Sequence, residues 1–180
     1  ASFRNTYTQL APGSATRLLL NVGETDERPV WYEGTVRAIS DQSGSIHEFQ
    51  AIGQDITEAT AYRIALEKLS QLTFEVERPL DEGLKIALEI GTEYFGMSLG
   101  LVSQIEDESY TVKCTIGGSN FNLKTGTELD LSKTFCGVLK SKGKPLRITH
   151  ASASDYQNSD ACLSTGLESY IGQNITVGSN

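Results

Sequence analysis

The side chains in this 180-residue chain that could do chemistry are few, and their spacing limits what they can do. Cys114, Cys136 and Cys162 are the three cysteines, and none stands in a CxxC pair. They therefore predict neither a zinc site nor a disulfide framework, and this usage suits a reducing cytosol. His47 and His150 are the two histidines; two imidazoles cannot build a metal site alone, and neither has the helical surroundings of a phospho-acceptor. Both are expected on strand surfaces. Glu106-Asp107-Glu108 reads as solvated charge in a hairpin turn, and Gly117-Gly118 as a turn lacking the Lys and Ser/Thr of a phosphate loop. Cys114 lies on an apolar strand face and is expected to be a core thiol. With no nucleophile–base pair in sight, no catalysis is expected from this chain.

The charge balance narrows the partners. The net charge is −8, and the 15 Lys and Arg are dispersed, so the surface repels phosphates and no nucleic-acid partner is expected. No apolar run reaches the roughly 18 residues that span a bilayer, so no membrane contact is expected. Apolar residues make up 38 %, enough to build a core.

Elements that would position these groups can be read from periodicity. "TRLLLNV" reads as a strand, and "VWYEGTVRAIS" alternates with Val30, Tyr32, Gly34, Val36 and Ala38 on one face. Asp41 to Gly44 is turn chemistry, and "SIHEFQAIG" is the returning strand. Thr16 to Gly53 is thus expected to form three antiparallel strands. The period then changes to that of a helix. Ala59, Tyr62, Leu66, Leu69, Leu72 and Val76 form one stripe, and Asp55 or Thr57 can cap its start. No Gly or Pro interrupts Glu58 to Arg78.

The second half predicts a new α+β unit. Pro79 opens a helix with Leu80, Leu84, Ala87, Leu88, Gly91 and Phe95 inward, and Gly96 ends it. Leu99, Leu101 and Ile105 mark one strand. Tyr110, Val112, Cys114 and Ile116 mark one face of the next, with Thr111, Lys113 and Thr115 facing out. Ser132 is expected to cap a short helix carrying Phe135, Val138 and Leu139. "PLRITH" reads as a strand, "SDACLSTGLES" as a short helix and "YIGQNITV" as a final strand.

On these residues the chain resembles known sensor modules. The Trp31 strand, the Asp41–Gly44 turn and Gly53-Gln54-Asp55-Ile56-Thr57-Glu58 are similar to the C-terminal part (PAC motif) of a PAS domain. "TFCGVL", "KPLRITHA" and "ACLSTGLESYIG" resemble a GAF domain of bacterial sensor histidine kinases and diguanylate cyclases. The resemblance implies an α+β chain with an antiparallel PAS half-sheet, a connecting helix and a GAF sheet flanked by helices. The expected boundaries are residues 1–57 for the PAS portion, 58–76 for the signalling helix and 77–180 for a GAF domain lacking its last strands. The strands and helices that open a PAS core are not recognisable, so a piece from the middle of a longer sensor is expected. An open sheet would then expose Leu18, Leu20, Val30 and Val36.

The resemblance also implies a role. PAS and GAF modules are joined by continuous helices that pair with a second subunit, so a homodimer through this helix is expected. Signal relay is expected to run through Asp55, Thr57, Tyr62, Leu66, Leu69 and Leu72 to an output enzyme outside the chain. Tyr110, Val112, Cys136 and Cys162 are the expected lining of a GAF ligand pocket. The alternative function is a small-molecule receptor for a cyclic nucleotide, haem or bilin. Cys162 lies near the position of a bilin-bearing thiol, although Leu163 follows it where His or Tyr is usual.

Overall fold

The computed structural model describes residues 9–22, 29–74, 78–107, 109–121 and 123–176. It is a mixed α+β chain that divides into two compact units, Ala1–Glu75 and Val76–Asn180. Among the described residues, no helix is long and apolar enough to cross a membrane.

The first unit is a three-stranded antiparallel sheet followed by a helix. Strands β1 (Ala15–Asn21), β2 (Trp31–Ser40) and β3 (Ile46–Asp55) lie in the order β1-β2-β3. The β2–β3 turn is organised by Asp41, whose Oδ1 accepts the N–H groups of Ser43 (2.8 Å) and Ser45 (3.0 Å). These bonds, led by one from the Ser43 hydroxyl, hold the Asp41 carboxyl below its ordinary pKa. Leu18, Val36 and Ala38 form the buried face, as the period of two requires. Leu18 and Val36 are thus covered and do not form the exposed apolar surface expected of an open sheet. Gly34 fits a close approach between β2 and β3: a methyl group there would overlap the Ile52 carbonyl oxygen and lie 2.9 Å from the Gly53 Cα. Helix α1 (Thr57–Phe74) packs on β2. The expected continuation of its stripe to Val76 lies outside the described residues.

The second unit opens with α2 (Leu80–Phe95), ended by Gly96 in the left-handed conformation. Its ends depart from the expected inner face. Leu80 and Phe95 are exposed, and Ile90 is the buried residue. Strands β4 (Leu99–Glu106), β5 (Ser109–Gly117) and β6 (Glu128–Asp130) form an antiparallel sheet. The three-residue β6 had no signal in the sequence.

The β4–β5 register corrects the expected strand face. Val102 pairs with Cys114 but Ser103 pairs with Val112, so Lys113 is an extra residue on β5. A bulge of this kind reverses the alternation of the strand that carries it. Tyr110 and Val112 therefore share a side with Leu101, Ser103, Ile105 and Thr115, while Cys114 and Ile116 lie on the other side with Gly100.

A short 3₁₀ turn at Leu131–Lys133, capped by Asp130, leads into α3 (Phe135–Lys142). Thr134, rather than the expected Ser132, caps α3; its side chain accepts the Gly137 N–H at 3.2 Å. Beyond it, β7 (Leu146–Ile148) pairs antiparallel with β8 (Tyr170–Gly172). Between these strands, α4 (Asp160–Thr165) is capped by Ser159 and ended by Gly166. One apolar cluster joins Phe135, Leu139, Leu146, Ile148, Ala151 and Ala161; a second joins Tyr110, Val112 and Leu131.

Candidate functional site

Two arrangements bring the sequence-selected residues together, one in each unit. The first is the joint between β3 and α1. The N–H of Thr57 donates to Asp55 Oδ1 at 2.9 Å, and Thr57 Oγ1 accepts the backbone N–H of Trp31 at 2.9 Å. The N–H of Ile56 donates to the Trp31 carbonyl at 2.8 Å, and Thr60 N–H then donates to the Ile56 carbonyl at 2.8 Å. The first turn of the helix is thereby fastened to the first residue of β2. Hydrogen bonds from Thr57, side chain first and backbone second, hold the Asp55 carboxyl below its ordinary pKa. Asp55 and Thr57 were selected from the sequence as caps. The part of Trp31 was not legible, because its backbone N–H makes the contact.

Along α1 the buried and apolar faces differ. Thr60 is buried and Ile64 and Lys68 are half-buried, whereas Ala59 is exposed and Tyr62, Leu66 and Leu69 are 54 %, 47 % and 40 % exposed. Leu72 is half-buried and so departs from the exposed stripe. An Arg63–Glu67 ion pair at 2.8 Å flanks the stripe one turn apart.

The second arrangement centres on Cys136. Its Sγ lies 3.5 Å from the Tyr110 hydroxyl and 3.4 Å from the Tyr170 hydroxyl. Tyr110 comes from β5, Tyr170 from β8 and Cys136 from the first turn of α3. The side chain of Phe135, next to Cys136, enters the other apolar cluster, where its ring centroid lies 5.4 Å from that of Tyr170. Adjacent residues of one helix thus address both clusters, and the thiol is a polar contact between them. Tyr170 reaches the thiol by lying over Gly172, where a methyl group would sit 2.7 Å from the ring Cζ.

Burial raises the pKa of both tyrosines, and the adjoining Cys136 raises it further. Both hydroxyls therefore stay protonated well into the alkaline range. Of the four residues expected to line a pocket, Tyr110, Val112 and Cys136 belong to one cluster. Cys162 packs instead against the cluster that holds Phe135 and Tyr170. Tyr170 was missed; the one available signal was an aromatic residue alternating with Gly172 on a short strand. The Thr115 Oγ1 is buried on the Tyr110 side of the sheet and has no hydrogen-bond partner among the described residues. His47 and His150 are exposed, and all three cysteines are free thiols. Among the described residues, no group of three His, Cys, Asp or Glu is placed to hold a metal ion.

No known family profile matches the chain, and no curated protein matches it.

Proposed function

We propose that the chain is a signal-relay segment of a multidomain sensor. In this reading the first unit is the C-terminal part of a PAS domain and the second a GAF domain. Helix α1 carries a mechanical change from the first toward an output histidine kinase or diguanylate cyclase on the same polypeptide. The observation that carries the reading is the β3–α1 joint. A connector meant only to tether would have a flexible break, which absorbs strain. Here the strand runs into the helix through Ile56 alone, and Trp31, Asp55 and Thr57 fix the helix start to the sheet. A displacement of β2 or β3 therefore moves the helix start with it.

Inserting Gly-Gly between Asp55 and Ile56 tests this with the chain joined to its output enzyme. The variant should fold and lose stimulus dependence. Regulation unchanged by the insertion would show that the joint transmits nothing.

A second reading, a small-molecule receptor, has one observation in its favour: on the side that bears Tyr110, the buried Thr115 Oγ1 has no hydrogen-bond partner among the described residues. A ligand with a polar group would satisfy it. A cyclic nucleotide, haem or bilin retained on purification would show in native mass spectrometry, and Thr115→Val would weaken its retention. A chain that holds none at saturating concentration would exclude this reading.

A further inference from the structure

Strand β5 is paired against its own pattern. Tyr110, Val112, Cys114 and Ile116 alternate without a break with Thr111, Lys113 and Thr115, and a regular strand would put the two sets on opposite faces. The bulge at Lys113 turns the second half of the strand over. Thr115 is thereby placed on the side of the buried Tyr110 and Val112, where its hydroxyl is buried without a hydrogen-bond partner among the described residues. The gain lies on the other side. Ile116 pairs with Gly100 and meets α2 there: a methyl group on Gly100 would lie 2.8 Å from Thr92 Cγ2, 3.2 Å from Ile116 Cγ1 and 3.4 Å from Leu88 Cδ2. The bulged arrangement serves the packing of α2, and a regular one serves the polarity of β5.

We propose that β5 holds two registers on β4 and that the bulge at Lys113 is the element that switches between them. In the second register the pairing of Ile105 with Tyr110 and Ser103 with Val112 continues without an extra residue. Lys113 then faces Val102, Cys114 faces Leu101, Thr115 faces Gly100 and Ile116 faces Leu99. The Thr115 hydroxyl leaves the apolar side, and the Cys114 thiol takes its place. Val102 is half-buried and Gln104 beyond it is exposed, so the long Lys113 side chain reaches water from there. The two halves of β5 are held differently. Ser109–Thr111 pairs with β6 as well as β4, and Val112 bonds Thr127 and Gly126 at 2.9 and 2.8 Å. Among the described residues, Cys114–Gly117 pairs with β4 alone. The second half can therefore slide while the first stays. Gly117 and Gly118 take up the residue of slack: both have positive φ, 65° and 62°, and glycine adopts either sign of φ readily. The switch couples the two faces of the sheet, because it changes both the group beside Tyr110 and the residue under α2. It stands apart from the relay reading.

Disulfide trapping tests it in the 180-residue chain carrying Cys136→Ser and Cys162→Ser, which keeps Cys114 as the native thiol. Leu101 and Cys114 lie on opposite sides of the bulged sheet and face each other only in the second register. With oxidised glutathione as oxidant, Leu101→Cys should cross-link to Cys114 while circular dichroism shows the chain folded. Deleting Lys113 as well removes the bulge but keeps the present faces, so trapping should slow at least about tenfold. Thr115→Val removes the unpartnered hydroxyl, and trapping should slow about fivefold or more. No cross-link from Leu101→Cys would overturn the proposal. So would a cross-link equally fast after deletion of Lys113, which would show that it forms through unfolding. Hydrogen exchange needs no cysteine variant: the Cys114–Gly117 amides should exchange at least about tenfold faster than those of Tyr110–Val112, and Thr115→Val should slow them. Equal protection of the two halves would also overturn it.

Discussion

At the residue scale the Tyr110–Cys136–Tyr170 contact makes a stability prediction. Tyr110 is 2 % exposed, and the thiol is one of the polar groups beside its hydroxyl. Cys136→Ala leaves that hydroxyl short of a partner and opens a small void. It should cost about 1–3 kcal/mol in denaturant unfolding. Cys136→Ser keeps a polar partner and should cost less; equal losses would show that packing, and not the hydrogen bond, matters there. The same contact sets a pH limit. Both tyrosines have raised pKa values in the folded chain, so their stabilisation is complete below the unfolded value of about 10. It is lost as pH rises further, because the unfolded chain ionises first. Melting temperature should therefore fall above about pH 10 more steeply in the native chain than in a Tyr110→Phe/Tyr170→Phe variant. Parallel curves would contradict the assignment.

At the element scale, much of the fold was legible where a period runs unbroken. The alternation in β2 put Val36 and Ala38 on one face, though not that this face is covered, and the change to a helical period after Asp55 located α1. Legibility failed where one residue changes the count or where a long-range contact decides. The extra Lys113 turned Thr115 to the Tyr110 side, and no local pattern announces such a bulge. Cys162 was grouped with Tyr110 and Cys136, yet α4 carries it into the neighbouring cluster. The helix stripe was readable, but which face of the helix is buried was not, because packing on residues distant in the sequence decides it. Thr57→Val removes the acceptor for Trp31 and the hydroxyl that bonds Asp55, while the backbone bond to Asp55 stays. It should destabilise the chain by about 0.5–2 kcal/mol, and hydrogen exchange of the Trp31 and Thr60 amides should quicken. Unchanged exchange at Trp31 would show that the bond does not hold the joint. Gly34→Ala meets the Ile52 carbonyl oxygen rather than a movable side chain, so it should loosen the β2–β3 pairing and lower the melting temperature.

For the whole molecule, the proposed relay depends on α1 behaving as a rigid rod whose angular phase matters. The helix turns about 100° per residue, so one residue inserted after Leu66 would rotate everything beyond it by that amount. Seven inserted residues fall only about 20° short of two full turns and nearly restore the phase while lengthening the rod. A tether would respond to neither insertion, and a device that senses only length would respond more to seven residues than to one. The most direct measurement is stimulus-dependent output from the chain joined to its output enzyme, compared among the native helix, the one-residue insertion and the seven-residue insertion. The account predicts that one residue disrupts regulation and seven largely preserve it; equal regulation in all three would contradict it.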